Sequence, residues 1–426
     1  MRKAIKGGYL MDPITELEGY YDILIDGPVI QAVVEQGKLD VTDYDAVIDA
    51  TGKSVFPGFI DLHVHLREPG FENKETIKTG TMACAKGGYT TVACMPNTKP
   101  VIDSIENLGI LRDIIKKDSV INILPICAIT HDIKGEFLTD HEGFFNQGVF
   151  AISDDGRTTM NPKLMTEAFE NAKKFDGLII THSEDHDVSS RFIDTVYPIE
   201  AETSIVMRDI ELCNKSNGRL HVAHVSGVDA IEAIRKAKRD GVNVTCEAAP
   251  HHFALNDEMV NVLSPSAKVN PPIRGEVHRK ALVKGIADGT IDIIATDHAP
   301  HENEVKSGNY EKAAFGISGI ETAFSIAYTT LVKNEGIPLM RLISMMTSKP
   351  AEIAKIRRAG SIQSGYDADV VLVDLNEKKC IEAQNFISKG KNTPFDGMTF
   401  NGGVVMTIFR GEIVFSNSSV EEKYVK

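Results

Sequence analysis

The middle of the chain alternates between short apolar runs and longer amphipathic stretches, and this alternation restricts the possible folds most. Parallel strands need crossover connections, which helical stretches such as SIENLGILRDIIKK and GVDAIEAIRKAKRDG provide. The pattern predicts an α/β fold, a (β/α)8 TIM-like barrel. Its eight β-branched runs are FPGFIDLHVHL, YTTVACMPNT, VINILPICAIT, GVFAISDDG, GLIITHSED, RLHVAHVSG, VNVTCEAAPHH and IDIIATDHAPH.

Most of these runs begin apolar and end polar. In a (β/α)8 barrel the carboxyl ends of the strands carry the chemistry, so the polar ends are candidate site residues. They are His63 and His65, Asn97, Thr130, Asp154 and Asp155, His182, His224, His251 and His252, and Asp297.

An open doubly wound sheet is the alternative arrangement of alternating strands and helices. That fold usually carries a glycine-rich phosphate turn after an early strand, and the chain contains no GxGxxG. The segment TGKS at 51–54 resembles the end of a P-loop, but Val47 stands where the leading glycine belongs. We therefore interpret TGKS as a turn.

Charge and cysteine usage restrict the partners and the compartment. A formal net charge of -14 argues against nucleic-acid and anionic-membrane partners, and an anionic ligand would need local cations or a metal. The six cysteines are scattered, without a CxxC pair, as in reduced cytosolic proteins. No apolar leader precedes the first strand-like run, and no apolar run is long enough to span a bilayer. We expect a soluble cytoplasmic protein.

The segment DLHVHLREPG places Asp61, His63, His65 and Arg67 at every second position. Side chains on a strand alternate between its two faces, so these four should point the same way. Two imidazoles on one face can bind one metal ion, and zinc suits imidazole and carboxylate ligands. An HxH pair alone is a weak signal, because a buried histidine is often only a hydrogen-bonded core residue.

Further ligand types at other strand ends strengthen the metal hypothesis. His182, His224 and Asp297 each end a different run, and the strand ends of a barrel meet at one mouth. Asp155 ends the fourth run, where a carboxylate could bridge two metal ions. SDDG is also good turn chemistry, and the sequence separates Asp154 from Asp155 only weakly.

These motifs, in this order, resemble a known family. DLHVHLREPG, MPNT, SDDG, THSED, HVAHVS, CEAAPHH, NPPIR and ATDHAPH resemble the cyclic-amide hydrolases of the amidohydrolase superfamily, most closely the bacterial class I dihydroorotases. The resemblance covers nearly the whole chain. It implies a barrel over residues 55–361, and a small β-sandwich side domain built from both β-rich chain ends, residues 1–54 plus 362–426.

The resemblance also implies the site. We expect Zn²⁺, one or two ions with two favoured. Asp297 is our hypothesis for the catalytic proton shuttle, and plain metal ligation is its alternative role. The metal ligands that the resemblance implies are His63, His65, Asp155, His182, His224 and Asp297. The substrate-binding residues it implies are His65, Arg67, Asn97, Asn270, His301, Phe315 and Gly316. Arg67 would pair with a carboxylate, which reconciles an anionic substrate with the acidic chain.

The activity implied is reversible hydrolysis of L-dihydroorotate to N-carbamoyl-L-aspartate in pyrimidine synthesis. A hydantoinase or allantoinase is the enzymatic alternative, but such relatives bridge their metals with a carboxylated lysine, and AISDDG contains no lysine. A non-catalytic subunit that scaffolds aspartate transcarbamoylase is the alternative of another class.

A homodimer and a complex with aspartate transcarbamoylase are the two assemblies that the resemblance suggests. The polar loop that follows DHAPH is either a lid over the substrate or an ordinary surface loop.

Overall fold

The computed structural model describes residues 1–39, 44–192, 195–417, 420 and 422–424. Strands occur in three groups along the chain. The first group is β1 (Arg2–Asp12), β2 (Leu17–Asp26), β3 (Val29–Glu35), β4 (Ala46–Asp49) and β5 (Ser54–Pro57). The second is β6 (Phe59–Val64), β7 (Tyr89–Cys94), β8 (Asn122–Pro125), β9 (Ala151–Ser153), β10 (Leu178–Thr181), β11 (Leu220–Val222), β12 (Val244–Ala248) and β13 (Ile293–Ile294). The third is β14 (Val370–Cys380), β15 (Thr399–Phe409), β16 (Glu412–Ser416) and β17 (Glu422–Tyr424).

The second group closes into a parallel barrel. Strands β6, β7 and β8 pair in one arc, and β9 to β13 pair in chain order in another. The parallel bridges Cys127–Ile152 and Val64–His298 join the two arcs at both ends. Each of the eight apolar runs contains one barrel strand, so the predicted (β/α)8 architecture is confirmed.

Helices connect the barrel strands, as the amphipathic stretches predict. Ser104 caps α2 by accepting a hydrogen bond from the backbone N–H of Asn107, as a serine before a helical run typically does. The helices are α1 (Ile77–Lys86), α2 (Ile105–Asp118), α3 (His141–Asn146), α4 (Pro162–Lys173), α5 (His186–Ser189), α6 (Glu200–Ser216), α7 (Val228–Arg239), α8 (Pro250–Ala254), α9 (Glu276–Asp288), α10 (Ala323–Ala327), α11 (Leu339–Met346) and α12 (Ser348–Ile353), and a π-helix follows α10 at Tyr328–Asn334.

Both chain ends contribute to one sheet beside the barrel. Its order is β16-β15-β14-β5-β1-β2-β3, and β1 also pairs with β4, which pairs with β17. Because β1 pairs with β4 as well as with β2 and β5, the sheet has a hydrophobic core of its own. Ile48 of β4 and Met406 of β15 belong to this one buried cluster. The expectation that the two ends fold together is confirmed.

We propose the division into a side domain of residues 1–54 plus 362–426 and a barrel of residues 55–361. Residues 40–43, 193–194, 418–419, 421 and 425–426 of these ranges lie outside the described residues. The chain passes from β5 in the side sheet to β6 in the barrel at Gly58, where a Cβ would lie 2.2 Å from the Thr90 hydroxyl. Thr51 and Gly52 form the turn expected at TGKS. None of the helices in the described part of the chain is long and apolar enough to cross a bilayer.

Candidate active site

The polar strand ends meet at the carboxyl mouth of the barrel. Nε2 of His63, near the end of β6, lies 3.4 Å from Oδ1 of Asp155, after β9. Nδ1 of His182, after β10, lies 3.0 Å from Nε2 of His224, after β11. Residues far apart in the chain therefore form one buried cluster, as the barrel topology predicts.

The cluster contains two groups of three side chains that could each hold a metal ion. His63, His65 and Asp155 form the first triad, and Asp155, His182 and His224 form the second. Within each triad the donor atoms lie within 4.8 Å of one another, and all five side chains are buried. Asp155 belongs to both triads, so its carboxylate could serve either candidate site.

The hydrogen bonding around the triads fits a bound metal. Among the described residues, Nε2 of His63 and Oδ1 of Asp155 are buried and have no hydrogen-bond partner. Leaving a buried polar atom unpaired costs about 1–3 kcal/mol, so such atoms usually have a partner. Imidazole nitrogens and a carboxylate are the donor set that zinc prefers.

Hydrogen bonds outside the first triad orient its two imidazoles. Nδ1 of His63 lies 2.6 Å from Oε1 of Glu247, and Nδ1 of His65 lies 2.9 Å from Oδ1 of Asn97. Both oxygens are acceptors, so each Nδ1 carries the proton. Nε2 of both rings is then the deprotonated nitrogen that a metal requires.

The second triad uses the opposite nitrogen of one ring. Nε2 of His182 donates a hydrogen bond to Oε2 of Glu184 at 3.0 Å. Nδ1 of His182 is therefore free as a ligand, and it faces Oδ1 of Asp155 at 3.7 Å. Nε2 of His224 lies 3.6 Å from the same oxygen.

The two neighbouring aspartates of SDDG have different environments. Asp154 accepts hydrogen bonds from the backbone N–H groups of Ile129 and Thr130, at 2.9 Å each, and from the hydroxyls of Thr130 and Thr159. Its carboxylate is thus occupied in joining the segments after β8 and β9. The Asp155 carboxylate instead faces His63, His182 and His224, so it is available as a candidate ligand.

Asp297 lies at the edge of the first triad. Its Oδ1 is 3.1 Å from Nε2 of His65 and 3.6 Å from Nε2 of His63. Burial raises its pKa, but the hydrogen bond to His65 and the charges of His63, His65 and His224 outweigh burial and lower the pKa to about 2. The carboxylate is therefore ionised at neutral pH and can accept a proton.

Charges within the cluster compensate for its burial. Burial opposes the ionisation of Asp155, but His63 and the other imidazoles outweigh it and hold the pKa of Asp155 well below its usual range. Burial lowers the pKa of His63, whereas the carboxylates of Asp155 and Glu247 raise it by more. The buried carboxylates of the cluster thus favour a positive charge beside them, which a metal ion would supply.

Arg67 provides a cation at the same mouth. Its Nε donates to the carbonyl oxygen of Pro300 at 3.2 Å, and Nη2 lies 3.1 Å from Nε2 of His301. Burial lowers the pKa of Arg67 to about 10, so the guanidinium remains charged at neutral pH. Its Nη1 makes no hydrogen bond to any described residue and is available for an anion.

A cavity of about 130 Å³ lies over the triads. It is smaller than the roughly 300–1,000 Å³ of sites for drug-sized ligands, so it favours a small substrate. Six of the seven predicted substrate-binding residues are among the described residues that line it: His65, Arg67, Asn97, Asn270, Phe315 and Gly316. The amide of Asn270 accepts from the Tyr197 hydroxyl at 2.6 Å and donates to Glu184 at 2.7 Å, so its orientation is fixed.

His301 contacts the cavity wall instead of lining the cavity in the described part of the chain. Its Nε2 donates to the carbonyl oxygen of Phe315 at 2.8 Å. Burial and the neighbouring Arg67 lower its pKa to about 3, so the ring is neutral. At Gly316 (φ +120°) a Cβ would lie 2.6 Å from the Ala299 carbonyl oxygen, so this close approach requires glycine.

Sequence reasoning missed two buried carboxylates around the site and misplaced a third. Glu247 and Glu184 fix histidine rings, and Asp61 accepts from the backbone N–H of His63 and from the Thr296 hydroxyl. Asp61 therefore joins the first and last barrel strands instead of entering the two candidate metal triads. The available signal was a charged residue inside an apolar run, such as Glu247 between Cys246 and Ala248, because such residues are almost never fully buried without a partner.

The amidohydrolase family model matches residues 54–414. The structure is similar to a dihydropyrimidinase from Brevibacillus agri (TM-score 0.89, 24% identity, covering 100% of this chain and 97% of that one) and to an L-hydantoinase from Arthrobacter aurescens (TM-score 0.89, 24% identity, 98% and 97%). At this identity the two structures show the fold alone. The chain belongs to the amidohydrolase family.

Curated relatives define the branch of that family. A dihydroorotase from Thermoanaerobacter sp. (strain X514) is 45% identical over 434 residues, covering 99% of each chain. A dihydroorotase from Bacillus subtilis (strain 168) is 42% identical over 427 residues, covering 97% of this chain and 98% of the relative. Within the amidohydrolases, the chain is a member of the dihydroorotases.

Proposed function

We propose that the protein is a zinc-dependent dihydroorotase that hydrolyses L-dihydroorotate reversibly to N-carbamoyl-L-aspartate, a step of pyrimidine synthesis. The observation that carries the proposal is the pair of buried triads that share Asp155. Arg67, a cation beside a small cavity, suits a small ring that bears a carboxylate. The likeness to dihydroorotases at 42–45% identity supports this substrate over hydantoins.

The metal proposal is two Zn²⁺ ions per chain. His63, His65 and Asp155 would hold one, and Asp155, His182 and His224 the other. Asp297, beside His65, is a further candidate ligand of the first ion. When bound, zinc supplies Lewis acidity, which polarises a carbonyl and lowers the pKa of water to roughly 7.

The side chains around the cavity bind and orient the ring. The guanidinium of Arg67 holds the substrate carboxylate, and the amide of Asn97 adds a donor. Asn270 and the backbone of Phe315 and Gly316 face the amide groups of the ring. These contacts place the scissile carbonyl over the triads, and positioning of this kind supplies much of the catalytic effect.

Asp297 moves the proton. Its ionised carboxylate accepts a proton from the attacking water as the new C–O bond forms. It then donates that proton to the ring nitrogen as the C–N bond breaks, so no other proton source is needed. Its Oδ1 lies 3.1 Å from Nε2 of His65, which places the carboxylate beside the triads.

We propose a cytoplasmic location, a homodimer, and association with aspartate transcarbamoylase as further parts of this function. All six cysteines are free and five of them are buried, which supports a reducing compartment.

The segment after His301 forms one wall of the site. Its Lys306 donates hydrogen bonds to the carbonyl oxygens of Lys268 and Ala314, beside Phe315.

The test is dihydroorotate hydrolysis by the purified chain before and after a chelator removes metal, and again after Zn²⁺ is restored. Activity that disappears and returns supports the proposal, and zinc per chain at full activity gives the stoichiometry. Hydantoin hydrolysis without dihydroorotate hydrolysis would favour the hydantoinase alternative. A zinc-loaded chain with no activity on either substrate would favour the non-catalytic scaffold.

A further inference from the structure

One buried carboxylate contacts both triads. Glu247, on β12, is 1% exposed. Its Oε1 accepts from Nδ1 of His63 at 2.6 Å and from the backbone N–H of His224 at 3.1 Å. Its Oε2 lies 3.0 Å from Nε2 of His221. Glu247 therefore links β6, β11 and β12 across the inside of the barrel.

The two bonds to Oε1 control different properties of the two triads. The bond to His63 fixes the ring orientation and keeps the proton on Nδ1, so that Nε2 stays deprotonated. The bond to His224 holds a backbone at φ +30°, which is unfavourable for a residue with a Cβ. Both bonds end on the same oxygen, so a displaced carboxylate would disturb one ligand of each triad at once.

We infer that Glu247 is a positioning residue that couples the two proposed metal positions, so that its loss weakens metal binding at both together. The inference rests on the metal site of the proposed function. It concerns a residue that touches neither substrate nor metal, since Glu247 acts through His63 and His224.

The contact between Oε2 of Glu247 and Nε2 of His221 allows a conservative substitution to serve as a test. Nδ1 of His221 lies 2.8 Å from the Thr245 hydroxyl, which can donate or accept. In Glu247→Gln the amide oxygen can still accept from His63 and His224. The new NH₂ group can donate to Nε2 of His221, whose proton then moves to Nδ1 and is donated to Thr245. E247Q therefore keeps the hydrogen bonds and removes the charge, whereas Glu247→Ala removes both.

The experiment is a Zn²⁺ titration of the metal-stripped full chain against a chromophoric chelator, which yields stoichiometry and affinity at each position. Losing an outer partner of a metal ligand typically costs about 10- to 100-fold in metal affinity. We expect E247A to lose roughly 100-fold at both positions. E247Q should lose roughly 10-fold, because a neutral amide oxygen accepts hydrogen bonds more weakly than a carboxylate does. If E247A does not fold, E247Q decides alone.

The matched control is Glu202→Ala. Glu202 is a second buried glutamate, and it accepts from the backbone N–H groups of Ser226 and Gly227 at 2.8 and 3.2 Å without contacting a candidate ligand. We expect E202A to lower the melting temperature of the zinc-free chain and to leave both zinc affinities at the wild-type value. Equal zinc loss in E202A and E247A would overturn the inference, because any buried carboxylate would then have the same effect.

The remaining outcomes are also decisive. Weakening at only one position, or unchanged affinity in E247Q, would overturn the coupling. A wild-type chain that binds no Zn²⁺ would overturn the inference together with the metal proposal. A wild-type chain that binds two Zn²⁺ ions and fails to hydrolyse dihydroorotate would overturn only the proposed function, because the titration does not depend on turnover.

Discussion

Replacing Arg67 with methionine tests how the site recognises an anion. Methionine keeps much of the aliphatic stem and removes the guanidinium, whose Nη1 is available and whose Nε is fixed by the Pro300 carbonyl oxygen. A hydrogen bond to a charged group contributes about 1.5–3 kcal/mol. Two such bonds to a carboxylate, discounted because Nη2 already contacts His301, give about 2–4 kcal/mol. That corresponds to a loss of kcat/KM of roughly 30- to 900-fold.

The assay compares two substrates that share a ring. Dihydroorotate carries the carboxylate and dihydrouracil lacks it, so R67M should lower kcat/KM for the first and leave kcat/KM for the second nearly unchanged. Arg67→Lys is the control, since it keeps the charge and loses the two-pronged geometry, and it should lie between wild type and R67M. An equal loss on both substrates would refute the carboxylate contact and leave Arg67 with a purely structural role.

Four further substitutions separate the carboxylates by role. Asp155→Asn should reduce zinc per chain at both positions, measured by elemental analysis after dialysis, because both triads share this ligand. Asp154→Ala should leave zinc content unchanged and lower the free energy of unfolding by about 2–4 kcal/mol, because two buried N–H groups lose their acceptor. Asp297→Asn should retain zinc at the second triad and lower kcat by about 10²- to 10⁴-fold, because the amide cannot accept a proton. Burial raises the pKa of Asp209 to about 6, so the folded chain should lose up to about 3 kcal/mol of stability from this group as pH rises from about 4 to about 6. In urea titrations across that range, Asp209→Asn should remove this slope, and an unchanged slope would contradict the assignment.

The barrel could be predicted because its periodicities are local. Each barrel strand lies within an apolar run of the sequence, and α2 begins directly after the serine that caps it. Closure of the ring depends on single bridges such as Val64–His298, between residues more than 200 positions apart. No local pattern encodes such a pairing, so closure followed only from the count of eight strand–helix units. The π-helix at Tyr328–Asn334 was not predicted, because a period near that of an α-helix does not distinguish the two.

The site could be predicted only in part, because the sequence shows residue types and hides partners. His63 and Asp155 were candidate ligands because histidine and aspartate at strand ends suggest metal chemistry. Glu247 was not a candidate, since its role depends on a histidine 184 positions away. Asp61 was grouped with the histidines by alternation, but its contacts with Thr296 show that it lies deeper in the barrel. Alternation predicts a shared face and does not predict depth along the strand axis.

The backbone around the site explains why local rules fail there. Arg67, His224 and Asp297 follow three different barrel strands, and all three have positive φ values of 64°, 30° and 48°. Such conformations favour glycine and cost of order 1–3 kcal/mol at other residues, so the surrounding structure must hold them. His224 is held by its N–H bond to Glu247, and Arg67 by the Pro300 carbonyl oxygen. The bonds that hold these turns are therefore part of the site, and a sequence rule that assigns positive φ to glycine cannot find them.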